Sequence, residues 1–394
     1  MGIPATGSRS RGVDFLDLGA TYSEEEQMIR DSVRAFVNDK VLPIIGEAYQ
    51  EDRFPMELVP QMAEMGLFGS YLEGYGCAGA SRTAYGLICQ ELERGDSGVR
   101  SFVSVQTSLV MFPIHTYGSE EQKQKWLPRL AAGEAIGCFG LTEPDYGSDP
   151  GRMITRAERT DAGWRLNGAK MWITNGSIAD VAVVWARTDE GIRGFLVEKG
   201  TPGYQTRKQT GKASLRASVT SELYFDDCEV GEDALLPKSG GLKSPLSCLS
   251  SARFGIAWGT VGLAAACYEE ALAYAGERMV FGKPIAAHQL QQAKFADMLA
   301  EITKCQALNL RIARLLEEGK ADFAHISLAK REGCRLARKA AMVAREIYGA
   351  NGIMHEYPIA RHMANVESVY TYEGTDDIHT LILGQRITGH SAFE

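Results

Sequence analysis

Residues 154–176 read Ile-Thr-Arg-Ala-Glu-Arg-Thr-Asp-Ala-Gly-Trp-Arg-Leu-Asn-Gly-Ala-Lys-Met-Trp-Ile-Thr-Asn-Gly. Short runs rich in β-branched and aromatic residues occur here and further along the chain, at 154–159, 163–166, 169–174, 181–187, 194–198 and 222–225. Turn residues separate them, among them Asp161-Ala162-Gly163, Asn167-Gly168 and Asn175-Gly176. Several short strands at this close spacing predict a small β-barrel or sandwich in the middle of the chain.

Both flanks of this segment have helical periodicity instead. Ser23-Glu24-Glu25-Glu26 is a capping box, in which a hydroxyl and a carboxylate satisfy the free amides of a helix start, and we expect Pro43 to end that helix. Further helices are predicted at 55–66, 83–94 and 119–130. From about Ser247 the chain is helical again, and apolar residues recur every three or four positions between Ile326 and Ile347.

These patterns predict a multidomain α+β protein. We expect an N-terminal helical domain (1–133), a middle β domain (134–240) and a C-terminal four-helix bundle (241–394), with Gly240-Gly241 as the linker between the last two. A chain of 394 residues has room for two or three domains of ~100–200 residues each. It can also bury a large core without disulfides.

Composition excludes several classes of protein. A net charge of −8 argues against general nucleic-acid binding. The locally basic segment 330–339 contains Lys330, Arg331, Arg335, Arg338 and Lys339, and is typical of a solvated helix face. No apolar run approaches the ~18–20 residues that span a bilayer. The start, MGIPATGSRSRGVDF, lacks the apolar core of a signal peptide.

Cysteine and histidine spacing gives no sign of a metal site. The eight cysteines are scattered without a Cys-x-x-Cys pair, and the seven histidines include no His-Glu-x-x-His. We therefore expect reduced thiols. The compartment would be the cytoplasm of a bacterium, or the mitochondrial matrix if the protein is eukaryotic and processed.

Three segments contain candidate catalytic or cofactor-binding residues. Residues 137–149 lead from a strand-like run into a turn rich in Gly, Thr and Ser, and residues 170–176 place Trp172 beside a turn as a flat wall that would suit a flavin. In residues 370–379, Glu373 lies between an aromatic residue and a glycine, just before a helix capped by Thr375. Spacing alone favours a hairpin loop for the first segment and a core tryptophan for the second. It does not separate a general base from a solvent-facing loop glutamate at Glu373.

The order of the motifs resembles the acyl-CoA dehydrogenase family over nearly the whole chain, from the Ser23 helix to Gly389. The motifs are Leu-Thr-Glu-Pro (141–144) with Gly-Ser-Asp (147–149), Trp-Ile-Thr-Asn (172–175), Glu-Arg-Met-Val-Phe-Gly-Lys-Pro (277–284) and Tyr-Glu-Gly-Thr (372–375). Within the family the chain is most similar to the glutaryl-CoA dehydrogenases, through residues 91–101, 104–106, 371–375, His379 and 381–384.

The resemblance implies a role for individual residues. Glu373 would remove the α-proton, and its backbone amide, with a ribityl hydroxyl of FAD, would bind the thioester oxygen. The residues implied to line the flavin are Phe139, Leu141, Thr142, Ser148, Trp172, Ile173 and Thr174. Those implied to contact other parts of FAD, some in a neighbouring subunit, are Arg278, Phe281, Gln289, Glu346, Gly349, Gly352, Thr375 and Asp377.

The implied substrate contacts form a second set: Arg100, Ser101, Ser148, Arg253, Phe254, Tyr372 and Gly374. Arg253 and Phe254 would meet the CoA part, whereas Arg100 and Ser101 would meet the far carboxylate of a dicarboxylic acyl group. From the residues alone, Arg100 is equally compatible with an internal salt bridge to Glu93 or Asp96. Glu346 departs from the family pattern, because many members have Gln there and an anion repels phosphate.

The implied reaction is FAD-dependent oxidative decarboxylation of glutaryl-CoA to crotonyl-CoA and carbon dioxide, a step of lysine and tryptophan degradation. The implied partners are an electron-transferring flavoprotein and three further copies in a homotetramer. The alternatives are a monocarboxylic short- or branched-chain acyl-CoA dehydrogenase, in which Arg100 is structural, and an oxidase relative. A different class is a non-catalytic helical interaction protein on the same fold.

Overall fold

The computed structural model describes residues 12–393, so most of the N-terminal stretch that carries no signal-peptide pattern lies outside the described residues. The first region is helical. Its helices are α1 Glu24–Phe36, α2 Leu42–Gln50, α3 Val59–Glu64, α4 Arg82–Gly95, α5 Ser97–Ser104, α6 Phe112–Tyr117 and α7 Glu120–Ala131. The capping box at Ser23 is confirmed, since its hydroxyl accepts from the amide of Glu26 and the Glu26 carboxylate accepts from the amide of Ser23.

Pro43 does not end the first helix, contrary to the prediction. A wider π-helical turn, Val37–Val41, carries the chain on into α2, and Pro43 lies in the first turn of that helix. Proline is tolerated there because the amides of a first turn have no partner within the helix. The predicted helix at 55–66 is likewise broken into a 3-10 turn, Met56–Leu58, and the short α3.

The middle region is a seven-stranded curled sheet. Its strands are β1 Gly137–Gly140, β2 Arg156–Thr160, β3 Gly163–Thr174, β4 Val181–Thr188, β5 Gly191–Glu198, β6 Tyr204–Lys208 and β7 Thr220–Gly231. Their order is β1-β4-β2-β3-β7-β6, with β5 also paired to β4. Asn167-Gly168 is not a turn as predicted, because β3 continues through it with a shift in its register to β7. Strand β6 was not predicted.

The last region is a helical bundle. Its elements are α8 Lys243–Glu277, the two-residue strands β8 Met279–Val280 and β9 Lys283–Pro284, α9 Gln289–Glu317, α10 Phe323–Tyr348, α11 Pro358–Thr371 and α12 Asp376–Thr388. The long helices α8 and α10 pack together, and α9, α11 and α12 also contact α10. Helix α8 begins at Lys243, slightly before the predicted Ser247. The predicted apolar stripe from Ile326 to Ile347 is confirmed as the buried face of α10.

The basic segment 330–339 on α10 is not a solvated face throughout. Arg335, Arg338 and Lys339 are exposed, as that interpretation requires. Lys330 is buried, with 1% of its surface exposed, because it lies on the stripe that faces the other helices. The solvated-face prediction is therefore wrong for Lys330.

Two further properties of the described residues bear on the expectations above. The eight cysteines are all free thiols, and each except Cys77 is buried. Among residues 12–393, no helix combines the length and the apolar character needed to cross a membrane.

Close contact between α4 and α8 joins the first region to the last. A Cβ added at Gly86 of α4 would overlap the indole of Trp258 on α8, and one added at Gly262 would overlap the carbonyl of Gln90. Trp258 is itself 1% exposed. The missing side chains at these glycines therefore set the spacing of the helices that carry Glu93 and Arg253.

We predict that Gly86→Ala destabilises the protein by ~1–3 kcal/mol, because overpacking against Trp258 outweighs the better helix propensity of alanine. Gly46→Ala in α2 is the matched control, since a Cβ there meets nothing within 4 Å. Denaturant unfolding of both variants measures the difference. Equal stability of the two variants would show that Gly86 does not set the α4–α8 distance.

Candidate active site

A cleft of about 1770 Å³ opens where the three regions meet. It is bounded by the α5 segment, the sheet, the N-terminal half of α8 and the loop between α11 and α12. The structure brings many of the predicted residues to its walls: Ser101, Phe139, Leu141, Thr142, Ser148, Trp172, Ile173, Thr174, Arg253, Tyr372, Glu373, Gly374 and Thr375.

Trp172 forms part of one wall because of an irregularity in the sheet. The pairing of β3 with β7 shifts register between Lys170 and Ile173, and Trp172 takes a left-handed backbone angle of φ 63°. The side chain is 59% exposed, although its neighbours Lys170 and Ile173 are buried. The core-tryptophan interpretation is therefore wrong, and the indole is available to a flat ligand.

A buried ion pair fixes the loop beside this wall. The Lys170 ammonium lies 2.9 Å from Glu143 Oε1 and donates to the carbonyl of Leu141 at 3.1 Å. Glu143 also accepts from the amides of Ile154 (2.7 Å) and Thr155 (2.9 Å). Burial lowers the pKa of Lys170 to about 8, against the opposing effect of Glu143. Sequence reasoning missed this pair, although Glu143 and Lys170 both lie inside the motifs it singled out.

Glu373 lies on a short loop between α11 and α12. The backbone of Glu373 is left-handed (φ 52°), and Gly374 follows at φ 99°. A left-handed angle at a non-glycine residue costs ~1–3 kcal/mol and persists only where the surroundings enforce it. The Arg253 Nε donates to the carbonyl of Glu373 at 2.6 Å, and Thr375 caps α12 by accepting from the amide of Ile378.

The Glu373 carboxyl is poised to take up a proton near neutral pH. Its Oε2 is buried and has no hydrogen-bond partner among the described residues. Burial raises the pKa of Glu373 to about 7, and the positive charges of Arg100, Arg253 and Lys330 limit the rise. A general base works best when its pKa is close to the operating pH, so this environment suits Glu373 to proton abstraction.

Arg100 lies behind the cleft wall and already has an anionic partner. Its Nε is 2.7 Å from Glu93 Oε2, and the two side chains are 1% and 0% exposed. The guanidinium also donates to the hydroxyl of Tyr372. The interpretation of Arg100 as part of an internal salt bridge with Glu93 is confirmed, whereas Asp96 pairs with Arg361 at 2.5 Å instead.

Several predicted residues do not line the cleft. Phe254 is buried beside Tyr85 and Trp258, so the structure does not support its expected CoA contact. Glu346 pairs with Lys294 at 3.0 Å, which offsets the negative charge that would repel a phosphate. The residues that do not line the cleft of this single chain are Arg100, Phe254, Arg278, Phe281, Gln289, Glu346, Gly349, Gly352 and Asp377.

Matches to family models cover most of the chain. The acyl-CoA dehydrogenase N-terminal domain matches residues 23–134, the middle domain 138–228 and the C-terminal domain 239–388. The chain is 38% identical over 374 residues to an acyl-CoA dehydrogenase of Bacillus subtilis, covering 93% of this chain and 99% of that one. It is 36% identical to the human mitochondrial short-chain specific acyl-CoA dehydrogenase, covering 93% and 90%.

Solved structures extend this similarity. A glutaryl-CoA dehydrogenase from Mycobacterium smegmatis is 53% identical, with a TM-score of 0.96 over 98% of this chain and 100% of the other. A second glutaryl-CoA dehydrogenase structure from that organism, in complex with FADH2, is 49% identical, with a TM-score of 0.96 over 97% and 99%. A structure described as an electron transferring flavoprotein of Acidaminococcus fermentans is 34% identical, with a TM-score of 0.91 over 94% and 99%.

Two helical regions around a curled sheet, with one large cleft between them, form the fold of a flavin-dependent oxidoreductase, since the relative with the same fold binds FADH2. The chain belongs to the acyl-CoA dehydrogenase family, and its cofactor is FAD.

The raised pKa of Glu373 gives a pH prediction. Only the carboxylate can accept the α-proton, so we expect the rate of flavin reduction by an acyl-CoA to increase with pH through a midpoint near about 7. Anaerobic rapid-mixing measurements between pH 5 and 9, in steps of roughly half a pH unit, give this midpoint.

The variant Glu373→Gln should bind FAD and acyl-CoA but reduce the flavin very slowly at every pH. A parental rate in this variant would place the base elsewhere.

Proposed function

We propose that the protein oxidises and decarboxylates glutaryl-CoA to crotonyl-CoA and carbon dioxide, with Glu373 as the base. The observation that carries the substrate assignment is the guanidinium of Arg100 directly behind the cleft wall formed by Ser101 and Tyr372. The 53% identity to a glutaryl-CoA dehydrogenase over 98% of the chain supports the same assignment.

The residues of the cleft suit FAD. The exposed Trp172 indole offers a stacking surface, and Thr142, Ser148 and Thr174 bring hydroxyl groups to the same wall. When bound, FAD supplies the acceptor for the hydride that leaves the β-carbon of the acyl group. The chain's own part is to hold the acyl thioester between this wall and Glu373 and to exclude water from the carboxyl.

The backbone of Glu373 supports a second role for this residue. Its amide makes no hydrogen bond to any other part of residues 12–393 and is therefore free for a thioester oxygen. Negative charge builds on that oxygen as the α-proton leaves, and a fixed donor at such a position stabilises the transition state by ~3–4 kcal/mol. Glu373 would thus provide both the base and one donor of the oxyanion site.

Decarboxylation requires few catalytic groups in addition to Glu373. Once the α-proton and the β-hydride are removed, the far carboxylate lies one carbon beyond the new double bond. Breaking its bond to the chain releases carbon dioxide and leaves the electron pair on that carbon, spread as a dienolate into the thioester. The protonated Glu373 then returns its proton to this terminal carbon, which completes crotonyl-CoA and restores the carboxylate.

A monocarboxylic short-chain acyl-CoA substrate is the second candidate, and a specific contact favours it. Glu93 already neutralises Arg100, and neither side chain is exposed. A substrate carboxylate would therefore meet a paired cation rather than a free one. The 36% identity to the human short-chain specific enzyme supports the same alternative. The two candidates differ in whether the Glu93–Arg100 pair serves the substrate or only the fold.

We also propose that the protein forms a homotetramer and passes electrons to an electron-transferring flavoprotein. Apolar side chains near the predicted FAD contacts support an interface between subunits, since Phe281 is 93% exposed and Leu290 is 81% exposed. Phe281 also has a left-handed backbone angle of φ 50° on the β8–β9 turn. Arg278 and Gln289, on either side of this turn, would reach the FAD of a neighbouring subunit.

Arg100→Met tests the substrate, provided that Glu93 is changed with it. Alone, the substitution strands a buried carboxylate and should destabilise the fold by ~3–5 kcal/mol. We therefore predict the effect for Glu93→Gln/Arg100→Met, which removes both charges, relative to the unsubstituted protein. The double variant should lose ~2–5 kcal/mol of transition-state stabilisation on glutaryl-CoA, because the pairing with the far carboxylate is lost. It should lose much less on butyryl-CoA.

Measurement of kcat/KM on both substrates with the same preparations gives this comparison. Equal losses on glutaryl-CoA and butyryl-CoA would mean that Arg100 is structural, and would leave the short-chain candidate in place.

Phe281→Asp tests the assembly. A charge at the centre of a buried apolar contact weakens association, so we expect smaller species and loss of FAD together. Met28→Asp on α1 is the control, because Met28 is 68% exposed and lies outside the proposed interface. Sedimentation velocity with absorbance at the flavin wavelength measures both quantities. If the unsubstituted protein is a monomer that still binds FAD fully, Arg278 and Gln289 do not reach the FAD of a neighbouring subunit.

A further inference from the structure

Lys330 is a buried ammonium group whose bonds all go to one short loop. The ion pairs formed within residues 12–393 do not include Lys330, although its surface is only 1% exposed. Its Nζ donates to the carbonyl of Tyr372 at 3.0 Å and to the carbonyl of Gly374 at 2.7 Å. Burying a cation without an anionic partner costs free energy of folding. The position of Lys330 beneath the Glu373 loop therefore indicates a functional role.

Three consecutive carbonyls of this loop accept hydrogen bonds from buried cations. Lys330 binds those of Tyr372 and Gly374, and Arg253 binds that of Glu373 between them at 2.6 Å. The backbone held in this way is the left-handed one, with φ 52° at Glu373 and 99° at Gly374. Since a left-handed glutamate is unfavourable on its own, these bonds supply the surroundings that enforce it.

We propose that Lys330 is a positioning residue, whose ammonium clamps the carbonyls on both sides of Glu373 and so directs the carboxylate and the free amide of that residue into the cleft. The inference rests on the proposed role of Glu373 as the base. It assigns Lys330 no contact with substrate or cofactor.

The titratable groups around Glu373 come from four helices. Arg100 lies on α5, Arg253 on α8 and Lys330 on α10, and all three favour the carboxylate form of Glu373. From α12, the His379 ring packs against Gly374, where an added Cβ would lie 2.9 Å from its Nε2. Burial and the nearby Lys330 and Arg253 lower the pKa of His379 to about 3, so this ring stays neutral at assay pH. Loss of the Lys330 charge should therefore raise the pKa of Glu373.

The test compares Lys330→Met with Lys330→Arg, Glu373→Gln and the control Lys339→Met. Lys339 lies on the exposed face of the same helix, so its substitution removes the same side chain without touching the loop. FAD content and Tm are measured first, and anaerobic reduction of the bound flavin by butyryl-CoA and glutaryl-CoA is then followed across pH. If Lys330→Met does not accumulate with FAD, Lys330→Gln takes its place, since it keeps a donor but loses the charge.

We expect Lys330→Met to reduce its flavin ~100-fold more slowly, the scale of a misplaced reacting group. Its dissociation constant for acyl-CoA should change much less, and the midpoint of its pH profile should move to higher pH. Lys330→Arg should recover part of the rate and the parental midpoint, and Lys339→Met should match the parent.

Two results would overturn the inference in different ways. In the first, Lys330→Met has the parental rate per bound FAD and the parental pH midpoint, and only its Tm is lowered. Lys330 would then be structural, whereas an inactive Glu373→Gln would still support Glu373 as the base. A parental rate in Glu373→Gln would remove the base itself, and the inference about Lys330 with it.

Discussion

The active site depends on burying one carboxyl beside three cations without giving its Oε2 a hydrogen-bond partner. Glu373 Oε2 has no partner among the described residues, and its pKa is raised to about 7 by burial. A carboxyl held in this way is a base near neutral pH, whereas an ion pair with Arg253 would have made it a permanent anion. The cations instead bind the loop backbone and Glu93, which leaves the carboxyl of Glu373 free for the substrate.

Much of the surrounding fold serves to bring these groups together. Arg100, Arg253 and Lys330 come from α5, α8 and α10, and the glycines of α4 and α8 let α4 and α8 approach each other closely. A Cβ added at Gly259 would overlap the Glu93 carboxylate that pairs with Arg100. Small residues on α8 therefore make room both for the packing with α4 and for the ion pair behind the cleft wall.

The sequence predicted the three-region architecture because periodicity changes clearly at the borders of the sheet, and because the capping residues Ser23 and Thr375 stand directly before their helices. Spacing alone did not predict the position of Trp172, which only the family resemblance implied, since the register shift that turns its indole toward the cleft depends on the pairing with β7. It also missed the burial of Lys330, because a lysine within a basic segment has the pattern of a solvated face until the partners of α10 are known. The Arg100 contact was one of two alternatives that local spacing could not separate.

We propose that one carboxyl, that of Glu373, removes the α-proton of glutaryl-CoA and returns a proton after carbon dioxide has left. The most direct measurement is a single anaerobic turnover of the FAD-bound protein with glutaryl-CoA labelled at the far carboxylate, in which labelled carbon dioxide and reduced flavin are both quantified. We predict roughly equal amounts of carbon dioxide and reduced flavin, with crotonyl-CoA as the product. Reduced flavin together with glutaconyl-CoA and no labelled carbon dioxide would contradict it.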